Sequence, residues 1–352
     1  MSERIRLGAS DLEVPRICLG TMTFGRQNTE RDGHLQLNYA YERGIDFIDT
    51  AEVYPIPVNA ETAGATERIV GSWLRGKPRD KVILASKVAG PGRGMDDWLR
   101  AGAREGCKPL DKRDIVQACE ASLRRLGTDY LDLYQIHWPA RNVPQFGANR
   151  FDEAAEREAA SLREQLEAMA RLVKDGKVRH VGVSNETAWG VCEATRLADR
   201  FGLPRIAGIQ NVYNLMSREF EQALREACFR ERVGLLAYSP LAFGWLSGKY
   251  RGGAKPAGAR MTLFGDGWPR YAKPEIPAAA DAYAAIAARF ELTPTQLALG
   301  FVASRPFVAS TIVGATTMDQ LRQCIDGCNT RLPDEALAAI EEEHQRMPNP
   351  AP

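Results

Sequence analysis

The chain has 352 residues, with 46 Lys+Arg against 45 Asp+Glu for a formal charge of +1. That length allows two domains at ~150 residues each, although a closed α/β barrel of ~250 residues or more can be a single domain. The near-neutral balance excludes the basic footprint of a nucleic-acid or anionic-membrane binder, and 44% hydrophobic with 26% charged residues excludes wholesale disorder.

No window approaches 18 uninterrupted apolar residues, so no membrane span is expected. The N-terminus, MSERIRLGASDLEVPR, lacks the apolar stretch of a signal peptide. Seven cysteines, at 18, 107, 119, 192, 228, 324 and 328, are scattered and include no CxxC pair. They read as reduced thiols of a cytoplasmic protein, with no disulfide frame and no metal site.

In chain order, residues 5–7 and 13–16 flank GASD (8–11) as a small hairpin that could plug the bottom of a barrel. Short apolar runs then recur: ICLG (17–20), DFIDT (46–50), VILASK (82–87), LDLYQIH (131–137), HVGVS (180–184), IAGIQ (206–210), LLAYS (235–239) and STIVG (310–314). They do not alternate with polar residues, as expected of parallel strands buried on both faces. Helical patterns separate them at 30–43, 64–75, 111–126, 153–175, 186–202 and 217–232. One or two more are expected in 277–304, followed by 318–327 and 334–346. Thr29 to Asp32 reads as the start of the first helix and Gly44 as its stop, and Thr293-Pro294 as another start.

Eight strand–helix units predict a (β/α)8 TIM barrel with the N-terminal hairpin and accessory C-terminal helices. The expected organisation is one domain over 1–352: hairpin 1–16, barrel 17–327, and C-terminal helix and tail 328–352. A doubly wound two-domain fold competes, but its phosphate fingerprint is absent. In GPGRGM (90–95) the sixth position is Met95 and Pro91 interrupts the turn, so that segment reads as a flexible loop. The long connections 55–63, 88–110, 138–152 and 240–276 all follow strands, on the side where barrel active sites form.

Asp49, Lys87 and His137 end three consecutive strands, and Tyr54 lies five residues past the first of them. Each alone could be a cap, a surface charge or a packed core residue. Together they suit proton delivery. A tyrosine hydroxyl titrates near ~10; an adjacent ammonium favours its phenolate, a carboxylate keeps the ammonium charged, and a histidine can orient a carbonyl oxygen. Carbonyl reduction also needs a hydride, which no side chain carries.

These four residues, at these spacings, resemble the catalytic tetrad of the aldo-keto reductases. The resemblance extends through LGTMTFG (19–25), GIDFIDTAEVY (44–54), LGTDYLDLYQIHWP (126–139), GVSNE (182–186), IQNVYN (209–214), AYSPLAFGWLSGKY (237–250) and TIVGATTMDQL (311–321). Within the family the chain looks most like a bacterial branch of NADP(H)-dependent reductases, with potassium-channel β-subunits as a cousin branch.

The resemblance implies Tyr54 as proton donor, Lys87 and Asp49 as its tuning pair, and His137 as the group that orients a small carbonyl substrate. It implies an NADP(H) site as well. Ser184, Asn185 and Gln210 would hold the carboxamide and Tyr238 would stack on the nicotinamide. Gly20, Thr21, Met22, Gln27 and Asp49 would lie alongside. Ser239, Pro240, Leu241, Ala242, Phe243 and Gly244 would wrap the pyrophosphate, with Lys249 supplying charge. Arg260 would meet the 2′-phosphate, and Gly314, Thr316 and Gln320 the adenosine phosphate. The chain departs from the common family pattern at Gly314-Ala315, where many members carry Lys-Ser, and at Gln320 and Cys324. Trp138, Phe146, Trp245, Phe264, Trp268 and Tyr271 are candidates for an apolar substrate pocket, and Arg141 and Arg150 for contact with an anionic substrate. Two other readings stay open: a redox-sensing or adaptor protein that holds NADP(H), and a Schiff-base barrel enzyme using Lys87. The oligomeric state is not legible.

Overall fold

The structure is a computed structural model that describes residues 3–99 and 108–352. Cys107 and part of the 88–110 connection lie outside the described residues. Strands β1 (Arg4–Arg6) and β2 (Glu13–Pro15) pair antiparallel as the N-terminal hairpin. Eight strands follow: β3 (Ile17–Gly20), β4 (Phe47–Asp49), β5 (Ile83–Val88), β6 (Leu131–Ile136), β7 (Val178–Ser184), β8 (Ile206–Val212), β9 (Gly234–Tyr238) and β10 (Val308–Val313). They close in sequence order into one parallel barrel, with β10 against β3. The (β/α)8 expectation is met, and no doubly wound sheet forms among the described residues.

Two packed layers hold the barrel. Outward-facing Ile17, Leu19, Ile48 and Leu84 meet the helices, while Cys18, Phe47, Ile83, Ala85 and Leu133 fill the interior. The hairpin closes the bottom: Leu7 is fully buried in the interior cluster beside Ala207 and Leu236. Gly8 makes this approach possible. It has φ +59, and a Cβ there would sit 2.4 Å from Ala207 O and 2.5 Å from Arg232 O.

Helix ends follow their local chemistry. Thr29 and Asp32 form a reciprocal capping box at the helix Glu30–Glu42, and Thr293 and Gln296 form another before Pro294. The 277–304 pattern resolves into Ile276–Arg289 and Pro294–Ala303. Two expected helices are shorter than read. The 153–175 pattern yields a helix only at Leu162–Lys174, capped by Ser161, with a single 3-10 turn at Glu153–Ala155. Residues 153–158 are all exposed, so their Glu/Ala content has no apolar face to bury. The 217–232 pattern begins as a helix only at Ala223, after a 3-10 turn and a backbone break at Gln222.

Candidate active site

Side chains on these strands alternate inward and outward. The inward register of Phe47 leads to Asp49, that of Ile83 and Ala85 to Lys87, and that of Leu133 to Gln135 and then His137. The same alternation brings Ser184, Gln210 and Tyr238 to the top of the interior. Tyr54 stands on the turn after β4, where its N–H donates to Ala51 O and its carbonyl accepts from Gly64 N.

All four expected tetrad residues converge. Lys87 Nζ donates to Asp49 Oδ2 at 2.6 Å and to Thr50 O at 2.9 Å. Gln210 Nε2 donates to the other carboxylate oxygen, Oδ1, at 2.8 Å. Lys87 is 0% exposed and Asp49 2%, so the pair is fully desolvated. Lys87 Nζ stands 5.0 Å from the Tyr54 ring centroid, and the rings of Tyr54 and His137 meet edge to face at 5.5 Å.

Electrostatics assign the protons. Burial works against the Lys87 ammonium, but the Asp49 carboxylate outweighs it and holds the lysine above its ordinary range. Burial raises the Tyr54 hydroxyl above its ordinary value, with Lys87 pulling the other way. The net effect corrects the expectation of a lowered tyrosine: in this dry setting the loss of phenolate solvation exceeds the ammonium's attraction. Tyr54 is therefore protonated at neutral pH. Burial, helped by Lys87 and Arg93, holds His137 well below the usual histidine range, so its ring is neutral.

A cavity of about 1170 Å³ opens above this group, with Asp49, Tyr54 and His137 on its lining. That exceeds the ~300–1,000 Å³ of an ordinary small-molecule pocket, leaving room for a dinucleotide and a small substrate. Gly20, Thr21, Met22 and Gln27 line one side, and Gln27 Nε2 donates to Gly258 O at 3.0 Å across the cleft. Ser184, Asn185, Gln210 and Tyr238 form a hydrogen-bonded set. Tyr238 OH donates to Asn185 Oδ1 at 2.7 Å, and Asn185 Nδ2 donates to Ser184 Oγ at 3.1 Å and to His137 O at 2.9 Å.

Beyond them, Ser239, Ala242 and Phe243 have φ of 52, 47 and 56°, ahead of Gly244 at 99°. Left-handed backbone of this kind gathers N–H groups into an anion-binding concavity. Ser239, Pro240, Leu241, Phe243 and Gly244 line the cavity. Ala242 is fully buried, and its side chain packs into the helix–strand core. Lys87 also lies behind the cavity wall, in contact with Asp49.

Lys249 and Arg260 face the cavity with no carboxylate paired to either among the described residues. Burial depresses both, Arg260 to about 10, and the Arg260 charge adds to the depression of Lys249. Lys249 runs along the loop backbone, where a Cβ on Gly244 would lie 2.9 Å from its Cε, and Arg260 stacks on Phe243 at 4.4 Å. Two partly dehydrated cations beside an N–H concavity have the chemistry to accept an anion such as phosphate. Gly314, Thr316 and Gln320 line the same end, with Thr316 N and Oγ1 both donating to Gln320 Oε1.

Of the aromatic candidates, Trp138, Phe146, Phe264, Trp268 and Tyr271 line the cavity. Trp245 does not, packing instead on Tyr250 at 5.0 Å. Arg141 is taken up by a two-pronged bond to Glu186, and Arg150 is exposed and outside the lining. Residues 90–94, expected as a flexible loop, are held at their base: Trp138 Nε1 donates to Pro91 O at 3.1 Å, and a Cβ on Gly90 would strike that tryptophan at 2.4 Å. Two lining cations, Arg93 and Arg270, were not among the candidates. Both reach the cavity through contacts distant in sequence, which leave no local pattern.

The chain belongs to the aldo/keto reductase family, a family of oxidoreductases: the family's pattern matches residues 16–344. The chain is 50% identical over 348 residues to "Protein tas" of Escherichia coli, covering 99% of both chains. It is 38% identical to an "Aldo-keto reductase" of Babesia bovis over 70% of this chain and 88% of that one. It is also 29% identical to a "Probable voltage-gated potassium channel subunit beta" of Arabidopsis thaliana, over 90% and 88%. The expected bacterial branch and its channel-subunit cousins are thus both represented. No helix among the described residues is long and apolar enough to cross a membrane.

Proposed function

We propose that the protein is a cytoplasmic, single-domain NADP(H)-dependent oxidoreductase that reduces aldehydes or ketones to alcohols, with Tyr54 as the proton donor. The observation that carries this reading is the desolvated Asp49–Lys87 pair beneath a protonated Tyr54, beside a neutral His137, at the floor of a large cavity. When bound, the nicotinamide supplies the hydride that no side chain can provide.

The chain's own residues divide the remaining work. Ser184, Asn185 and Gln210 hold the carboxamide, and the Tyr238 ring supports the nicotinamide face. The 239–244 loop, without the Ala242 side chain, holds the pyrophosphate. Lys249 supplies charge beside that loop, and Arg260 takes the 2′-phosphate, for which an arginine fork is suited, while Gly314, Thr316 and Gln320 border the adenosine phosphate. His137 donates one hydrogen bond to the carbonyl oxygen, and Tyr54 releases its proton to that oxygen as negative charge develops there. Lys87 then stabilises the tyrosine oxygen left behind, and Asp49 keeps Lys87 charged. The six described cysteines are all free, which suits a reducing compartment.

Titration of intrinsic fluorescence with NADPH and NADH tests the cofactor assignment. The wild type is expected to bind NADPH more tightly, and Arg260→Ala to lose that preference with NADH affinity little altered. Equal affinity of the wild type for the two nucleotides would contradict the phosphate assignment.

A further inference from the structure

Among the described residues the cavity lining carries four cations, Arg93, Lys249, Arg260 and Arg270, against a single carboxylate, Asp49. Asp49 is engaged by Lys87 and Gln210. Lys249 and Arg260 lie at the end given to the nucleotide phosphates. Arg270 is tethered, its Nε donating to Pro352 O at 2.7 Å and its Nη1 to Tyr238 OH at 3.5 Å. Arg93 remains without a task.

Its surroundings are specific. The guanidinium lies 4.1 Å from the Phe146 ring centroid and 5.8 Å from that of Trp138. No acidic side chain among the described residues pairs with it; the group whose charge it feels most is the Tyr238 hydroxyl. Trp138 packs on His137 at 4.9 Å, and His137 on Tyr54 at 5.5 Å. One continuous aromatic wall thus runs from the proton donor to the guanidinium, and the Arg93 charge reaches far enough to help keep His137 neutral.

The backbone adds a second, independent observation. Gly92, Arg93 and Gly94 have φ of 83, 66 and 69° in succession. Left-handed geometry suits the two glycines, whereas a long branched-head side chain in the middle is held there at a conformational cost. The turn is anchored at its base by Trp138, through the bond to Pro91 O and the close approach at Gly90. A strained, anchored turn that delivers an unpaired guanidinium to a ligand cavity has no evident purpose in folding.

We propose that Arg93 binds a carboxylate on the substrate, so that the preferred substrates are aldehydes or ketones with a carboxylate a ring or a short carbon chain away from the carbonyl. The Trp138–Phe146 wall covers the carbon body, the carbonyl meets His137 and Tyr54, and the guanidinium fork grips the far end through paired charge-assisted hydrogen bonds. This rests on the reading of the site as an NADPH-dependent carbonyl reductase.

The test compares aldehydes that differ in one carboxylate, 4-carboxybenzaldehyde against its methyl ester and succinic semialdehyde against butanal, by NADPH oxidation with wild type, Arg93→Ala and Arg93→Lys. NADPH titration of each variant reports whether the barrel is folded. The wild type is expected to favour the acid of each pair in kcat/KM. Arg93→Ala should reduce that preference about tenfold or more, mainly through KM for the acid, and Arg93→Lys, which keeps the charge without the fork, should retain part of it. A wild type that prefers the neutral aldehydes, or an acid preference untouched by Arg93→Ala, overturns the role of Arg93 while leaving the reductase reading intact. A wild type that neither binds NADPH nor oxidises it with any of the four aldehydes overturns the reductase reading and this one with it.

Discussion

Lys87 is a fully buried ammonium whose position is tolerable only because Asp49 neutralises it at 2.6 Å. Asp49→Asn should therefore lower unfolding free energy by about 3–5 kcal/mol, the usual cost of stranding one member of a buried pair. The double variant Asp49→Asn/Lys87→Met should recover part of that loss in urea unfolding. His137 gives a pH signature. Its folded-state proton affinity is depressed by burial and then by two neighbouring cations. Below its unfolded value near ~6.5 the unfolded chain binds a proton that the folded chain refuses, so stability falls as pH falls through that region. His137→Asn should flatten the change in urea midpoint between about pH 7.5 and 5.5. The tetrad was legible because Asp49, Lys87 and His137 occupy fixed offsets at strand ends, where chain direction alone determines their side of the barrel. Arg93 and Arg270 were not, since their placement depends on Trp138 against Pro91, 47 positions away, and on Pro352 against Arg270, 82 positions away.

The eight strands read plainly at the level of elements, because a strand buried on both faces must be apolar at nearly every position. Helix starts were harder. The run 153–160 has helical composition, but a helix persists in a protein by burying a face, and only from Ser161 onward does one exist, with Leu166, Met169 and Leu172 in the core. The hairpin supports a direct comparison. Gly8→Ala combines a left-handed backbone with two carbonyl contacts under 3 Å, and should cost roughly 1–3 kcal/mol in urea unfolding. Gly127→Ala, at φ +64 with open space around its Cβ, should cost only ~1 kcal/mol of backbone strain. Equal losses at the two positions would show that Leu7 and Gly8 do not seal the barrel bottom as tightly as the packing indicates.

Across the whole molecule, a formal charge of +1 conceals a strongly uneven distribution. Among the described residues four cations and one neutralised carboxylate face a single cavity, whereas much of the remaining charge is spent in ion pairs elsewhere, such as Arg79–Asp132 and Arg125–Glu67. The molecule is built with a closed bottom and a positively charged mouth, as an enzyme handling anionic ligands would be. Everything at that mouth converges on one hydroxyl, Tyr54. The most direct measurement is therefore NADPH oxidation at 340 nm by Tyr54→Phe beside the wild type, with nucleotide affinity measured in parallel. Tyr54→Phe should bind NADPH as the wild type does and lose turnover by a factor on the order of 10³ or more. A variant that binds NADPH and keeps turnover within tenfold of the wild type would contradict the assignment of Tyr54 as the proton donor.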